Sequence, residues 1–151
     1  MSENPFIGNW RVSSEANSTW SGKIEMTALL HCNNETGSII RCDILVMILR
    51  DNTTNGKWIS IEMPPSDNTV PFTVNGKNIT DETQNYTGTY NSVGQVLWED
   101  RFETVGKDNI STNEIWTKIG KSTPLFHTLV VFRIQSPSVV TIFYPYILYS
   151  S

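Results

Sequence analysis

Apolar and polar side chains alternate through most of this chain, and turn-forming residues punctuate the alternation. That is the signature of half-buried β-strands, whose successive side chains point to opposite faces. KIEMTALLH, residues 23–31, sets Ile24, Met26, Ala28 and Leu30 against Glu25, Thr27, Leu29 and His31. KWISIEM, residues 57–63, sets Ile59, Ile61 and Met63 against Trp58, Ser60 and Glu62. CDILVMILR, residues 42–50, is apolar at both parities, which predicts a strand that is central or covered on both faces. WRVSS, FTVNGK, YTGTY (86–90), QVLWEDRFETV (95–105), STNEIWTKIG (111–120), FHTLVVFRI (126–134) and SVVTIFYPYILY (138–149) bring the set to about ten strands.

The connections are short. DNTTNG (51–56) reads as a loop, PPSDNTVP breaks the chain, and Asn75-Gly76 predicts a type I′ hairpin. Strands joined by tight turns favour an antiparallel meander, so the predicted fold is an all-β up-and-down barrel of about eight to ten strands. No long helical period and no repeat of 20–50 residues interrupts it. The 151 residues fit one domain, 1–151. A domain of this size buries roughly 70% of its unfolded surface, enough for a core without staples.

Composition narrows the partners. The net charge is −4, only 17% of residues are charged, and the basic ones are scattered. Nucleic acid and anionic membrane surfaces both call for clustered Lys and Arg, so neither is expected. The longest apolar run, ILVMIL at 44–49, is strand-length and far short of the ~20 residues of a membrane helix.

The start, MSENPFIGNW, lacks a basic and then apolar leader, so the chain as given reads as cytosolic, or as a mature form restarted with Met1. Six Asn-x-Ser/Thr sequons, at Asn17, Asn34, Asn52, Asn78, Asn85 and Asn109, point instead to a secreted glycoprotein. Chance composition accounts for ~3 of them. Cys32 and Cys42 flank NNETGSIIR. Symmetric pairing about NETG sets Cys32 opposite Ile39, so a disulfide needs a bulge or a longer loop, and two free thiols are expected.

Candidate chemistry is sparse. His31 and His127 with the two cysteines match no zinc spacing, and His31 and Cys32 point to opposite faces of a strand. No metal, cofactor or catalytic residue is assigned. In WEDRFE, alternation sends Trp98, Asp100 and Phe102 one way and Glu99, Arg101 and Glu103 the other. An inward Asp100 would need a partner or a ligand. Tyr86, Gly88 and Tyr90 share a face of the preceding strand, and Gly88 leaves open space between two rings. The two faces together predict an aromatic wall with one acidic group. Trp58 and Trp116 share strand faces with polar neighbours (Ser60 and Glu62; Glu114 and Lys118), which makes them lumen-lining or exposed.

FIGNWRV (residues 6–12) places a glycine two residues before a tryptophan, which allows a sharp turn while the indole packs inward. This opening resembles the Gly-x-Trp start of the calycin superfamily: lipocalins, fatty-acid-binding proteins and avidin. NYTGTYNSVGQVLWEDRF resembles the Gly-Thr-Tyr strands of the same barrels. The resemblance implies that Trp10 closes one end of the barrel under a basic side chain from late in the chain, for which Arg133 is the candidate. It does not extend to a Thr-Asp-Tyr motif, to paired helices or to a biotin site, so it carries architecture and no ligand.

The function expected is non-catalytic binding of a small, largely apolar or aromatic ligand in the lumen. Tyr86, Tyr90, Trp98, Asp100, Phe102, Trp58 and Trp116 are its candidate contacts. A lectin using surface Trp, Asn and Asp, and a small barrel isomerase or lyase using Asp100 or His127, are the alternatives. Aromatics of segment 138–149, a strand interrupted at Pro145 and expected at a sheet edge or closure, offer a surface for a homo-oligomer.

Overall fold

A computed structural model describes the backbone of residues 4–62, 68–120, 125–135 and 139–148, and the side chains within those ranges up to residue 119. The described residues form twelve strands, β1 (Gly8–Ser18), β2 (Gly22–Thr36), β3 (Ile39–Arg50), β4 (Ile59–Ser60), β5 (Thr69–Asn75), β6 (Asn78–Asp81), β7 (Tyr86–Tyr90), β8 (Gln95–Trp98), β9 (Arg101–Val105), β10 (Asp108–Gly120), β11 (Leu125–Gln135) and β12 (Val139–Leu148). The one helical piece among the described residues is a 3-10 turn, Asn52–Thr54. Asp51 caps it, accepting from the Thr53 and Thr54 amides.

Eight strands form a closed antiparallel ring in the order β1-β2-β3-β5-β6-β7-β8-β10, and β10 returns to pair with β1. β4 flanks β3 and β9 flanks β10 outside the ring. The fold is therefore the all-β antiparallel barrel that the alternation predicts. Closure falls to β10 and not to segment 138–149. β12 is instead an edge of a separate two-stranded sheet with β11, and Pro145 stands in its ladder opposite Leu129. The aromatics proposed there for self-association lie outside the described side chains.

One end of the barrel interior is filled by buried side chains. β1 enters it with Gly8 at a φ of 126°, a left-handed conformation that glycine adopts without strain. Trp10 is fully buried two residues later, and its indole donates to the Phe6 carbonyl at 2.9 Å. The core continues through Val12, Ala28, Leu30, Ile40, Phe72, Ile79, Val96, Trp98 and Trp116. The cation over Trp10 is Lys118, its ladder partner, with Nζ 5.2 Å from the ring centroid and donating to the Pro5 carbonyl at 2.6 Å. The Arg133 side chain expected in this role lies outside those described.

Cys32 and Cys42 are joined in a disulfide, which corrects the expectation of two free thiols. The reason is a single bulge. Thr36 pairs with Ile39 across a Gly37–Ser38 turn, and regular pairing would set Cys32 opposite Asp43. The ladder slips between Asn34 and Thr36, so Asn34 meets Ile40 and Cys32 meets Cys42. Both cysteines are fully buried in the core.

The Asn75-Gly76 hairpin forms between β5 and β6 with a different turn. Asn75 is the last strand residue and pairs with Asn78, which leaves Gly76 and Lys77 as the turn. Of these only Gly76 has a positive φ, 62°, the pattern of a glycine-first turn and not of type I′.

Candidate functional site

Aromatic rings run in an unbroken chain through the interior. Tyr90 meets Phe6 at 6.1 Å and Trp10 at 6.4 Å between centroids, both edge-on. Trp10 meets Trp116 at 6.0 Å, Trp116 meets Trp98 at 5.3 Å, and Trp98 meets Tyr86 at 4.9 Å. Phe72 bridges Trp98 and Trp116 at 5.8 and 5.4 Å. Edge-to-face pairs, such as those of Tyr90 with Phe6 and Trp10 and of Phe72 with Trp116, each add about 0.5–1.5 kcal/mol beyond area burial.

Gly88 makes this chain possible. It pairs with Trp98, and a Cβ there would come within 2.8 Å of the indole and of Val96. The space expected beside Gly88 is thus filled by the ring of its own ladder partner.

Polar groups begin where the rings end. Ser14 and Glu114 are ladder partners on the inward face of β1 and β10. Glu114 is largely buried, and its carboxylate accepts from the Trp116 indole at 2.8 Å. Burial pushes its pKa above the usual carboxylate range, against the opposing pull of the Trp116 N–H and the Arg101 charge. Among the described residues no basic side chain forms an ion pair with it. Burial, followed by the Glu114 charge, likewise pushes the Tyr86 phenol up. The Arg101 guanidinium stacks 4.3 Å over the Tyr86 ring and opposes that shift.

Trp98 completes the layer. It is 5% exposed, and its indole N–H is buried without any hydrogen-bond partner. Buried donors are nearly always satisfied, and an orphan costs about 1–3 kcal/mol.

The other predicted contacts sit elsewhere. Alternation was expected to carry Asp100 and Phe102 inward with Trp98, but the pleat is broken between β8 and β9. Leu97 pairs with Ile115 and Arg101 with Thr112, so β8–β9 uses one residue more than β10 over the same stretch. The slip turns Arg101 inward and Phe102 outward, where Phe102 is 78% exposed. Asp100 is exposed and accepts from the Asn113 amide at 3.0 Å. Trp58 is half-buried beneath the Arg50 guanidinium, 4.6 Å away, and Arg50 pairs with Glu25.

The barrel thus gathers Tyr86, Tyr90, Trp98 and Trp116 with Trp10, and leaves Trp58, Asp100 and Phe102 out of that cluster. Glu114 and Arg101 are the members missed as site residues. Glu114 shares a parity with Trp116, so an inward Trp116 was a usable signal for it. Arg101 had none, because nothing local marks the extra residue.

Among the described residues no group of three His, Cys, Asp or Glu side chains could hold a metal ion. His31 lies against Asn9, with Nδ1 2.6 Å from Oδ1, on the face of β2 opposite Ala28 and Leu30. Compared with known proteins, the chain matches no family model and no curated sequence.

Proposed function

We propose that this protein is a non-catalytic carrier. It takes a small, largely apolar or aromatic molecule into the barrel, against Tyr86, Trp98 and Glu114. The observation that carries the reading is the unpartnered, buried Trp98 N–H. Its ring packs on Tyr86 and Trp116, the two aromatics that also neighbour the Glu114 carboxylate, which burial holds above its ordinary pKa. A donor and a proton-sensitive acceptor at the edge of an aromatic stack suit a planar ligand with one polar edge. Such a ligand accepts from Trp98 and donates to Glu114. Eight-strand barrels are wide enough to hold one small ligand, and the Gly-x-Trp entry supports a calycin-type reading of this one.

The carbohydrate reading would rest on exposed tryptophan, and of the five only Trp20 is freely exposed, at 73%. The isomerase reading rests on Asp100 or His127; Asp100 accepts from Asn113 at the surface, and the His127 side chain lies outside those described.

Mass spectrometry of small molecules extracted from the purified protein supplies the ligand, and titration of Trp98→Phe and Glu114→Gln tests the site. Trp98→Phe keeps an aromatic ring, a smaller one, and loses the N–H; Glu114→Gln keeps the shape and loses the charge. Roughly tenfold weaker binding is expected for Trp98→Phe, the worth of one hydrogen bond. Unchanged affinity in both, with the fold retained, removes this layer from the site.

A further inference from the structure

The six sequons read in the sequence occupy one kind of position in the fold. Asn17, Asn34, Asn52, Asn78, Asn85 and Asn109 are all exposed. The chain's eight other asparagines divide evenly, with Asn4, Asn9, Asn68 and Asn91 partly or fully covered and four exposed. Every sequon asparagine is thus open to solvent, whereas half of the others are not.

The amide nitrogens are also accessible in chemical terms. Asn78 and Asn109 each accept a hydroxyl bond through Oδ1, from Thr89 and Thr104, which leaves Nδ2 uninvolved in either bond. Asn34 likewise accepts through Oδ1, from Asn4. Asn85 stands in a turn at a φ of 55°. Asn52 is the exception: its Nδ2 donates to the Ser21 carbonyl at 2.9 Å and crowds Gly22.

Two further observations agree. The buried Cys32–Cys42 disulfide belongs to an oxidising compartment, where glycan transfer also takes place. In the outward row of the barrel Asn17 pairs with Ser111, and Ser111 pairs with Phe102, which is 78% exposed. A glycan on Asn17 would lie beside this bare ring.

We infer that the barrel is an N-glycoprotein of the secretory route, modified at Asn17, Asn34, Asn78, Asn85 and Asn109. In each transfer the asparagine Nδ2 forms a bond to the anomeric carbon of an oligosaccharide carried on a polyisoprenyl diphosphate. The carbon–oxygen bond to the diphosphate breaks, the polyisoprenyl diphosphate leaves, and the amide proton passes to a base of the transferase.

The test is to secrete the full chain from eukaryotic cells behind a cleavable leader and confirm the disulfide by peptide mass. The protein is then digested with peptide N-glycosidase in ¹⁸O-water. Conversion of the five named asparagines to ¹⁸O-labelled aspartate is expected, together with loss of one glycan mass in Asn17→Gln. An intact mass unchanged by the enzyme, or labelling at fewer than three of the five, overturns the inference.

Discussion

Along the inward face of β1, Trp10 and Val12 are buried in the ring cluster, whereas Ser14, Ala16 and Ser18 farther along the same face are small. The opposing strand repeats the change: Trp116 faces Val12, but Glu114 faces Ser14 and Thr112 faces Ala16. One half of the interior is thus packed with aromatic rings and stapled by a disulfide, while the other carries a carboxylate and the end of the ring stack. Stability and proposed binding are divided along the barrel axis, with the same strands serving both. A rigid aromatic half holds Trp98 and Tyr86 in place, and the polar half can then present groups that the fold alone does not satisfy.

The largest expected effect lies at the filled end. Trp10→Ala removes a fully buried indole, its bond to Phe6 and the surface beneath Lys118, and should cost about 3–5 kcal/mol in urea unfolding. A loss below about 1 kcal/mol would mean that this end is not the stabilising half. Replacing both cysteines by alanine opens a loop with a sequence separation of 10. It should cost about 2–3 kcal/mol under non-reducing conditions. Reductant should then leave the variant's unfolding midpoint unmoved and lower that of the parent.

At the polar half, the expected signature is pH dependence. Glu114 binds its proton more tightly folded than unfolded, because its folded pKa is raised. Its ionisation therefore lowers stability progressively as pH rises from the ordinary carboxylate range through the raised value. Asp51, Asp108 and Glu25, held low by their hydrogen bonds, act in the opposite direction and lose their contribution as pH falls. Their effects are common to parent and variant. Glu114→Gln should accordingly gain on the parent as pH rises across that window, and a difference that does not change with pH would place Glu114 in water. The smallest effect is expected outside the ring: Phe102→Ala, at a 78% exposed site, should stay within about 0.5 kcal/mol of the parent.

Much of this was legible in the chain. Period-two alternation located nearly every strand, and YTGTY matches β7 residue for residue. Gly8 and Trp10 marked the turn and the buried ring at the start of β1. The failures have a common cause. A period-two reading assumes an unbroken pleat, and one extra residue reverses every face that follows. The bulge near Glu35 brought Cys32 to Cys42, and the slip at Glu99–Asp100 set Arg101, and not Asp100, against the Tyr86 ring.

The sequence by itself determined that this chain is an antiparallel all-β barrel opened by a buried tryptophan. Those properties rest on local alternation and on the conformational freedom of glycine. Only the tertiary structure decided which strand closes the ring, that Lys118 covers Trp10, and that Trp116 joins the Trp98 ring on one side and the Glu114 carboxylate on the other. These contacts join residues remote in the chain, and their partners depend on register summed over every intervening hairpin.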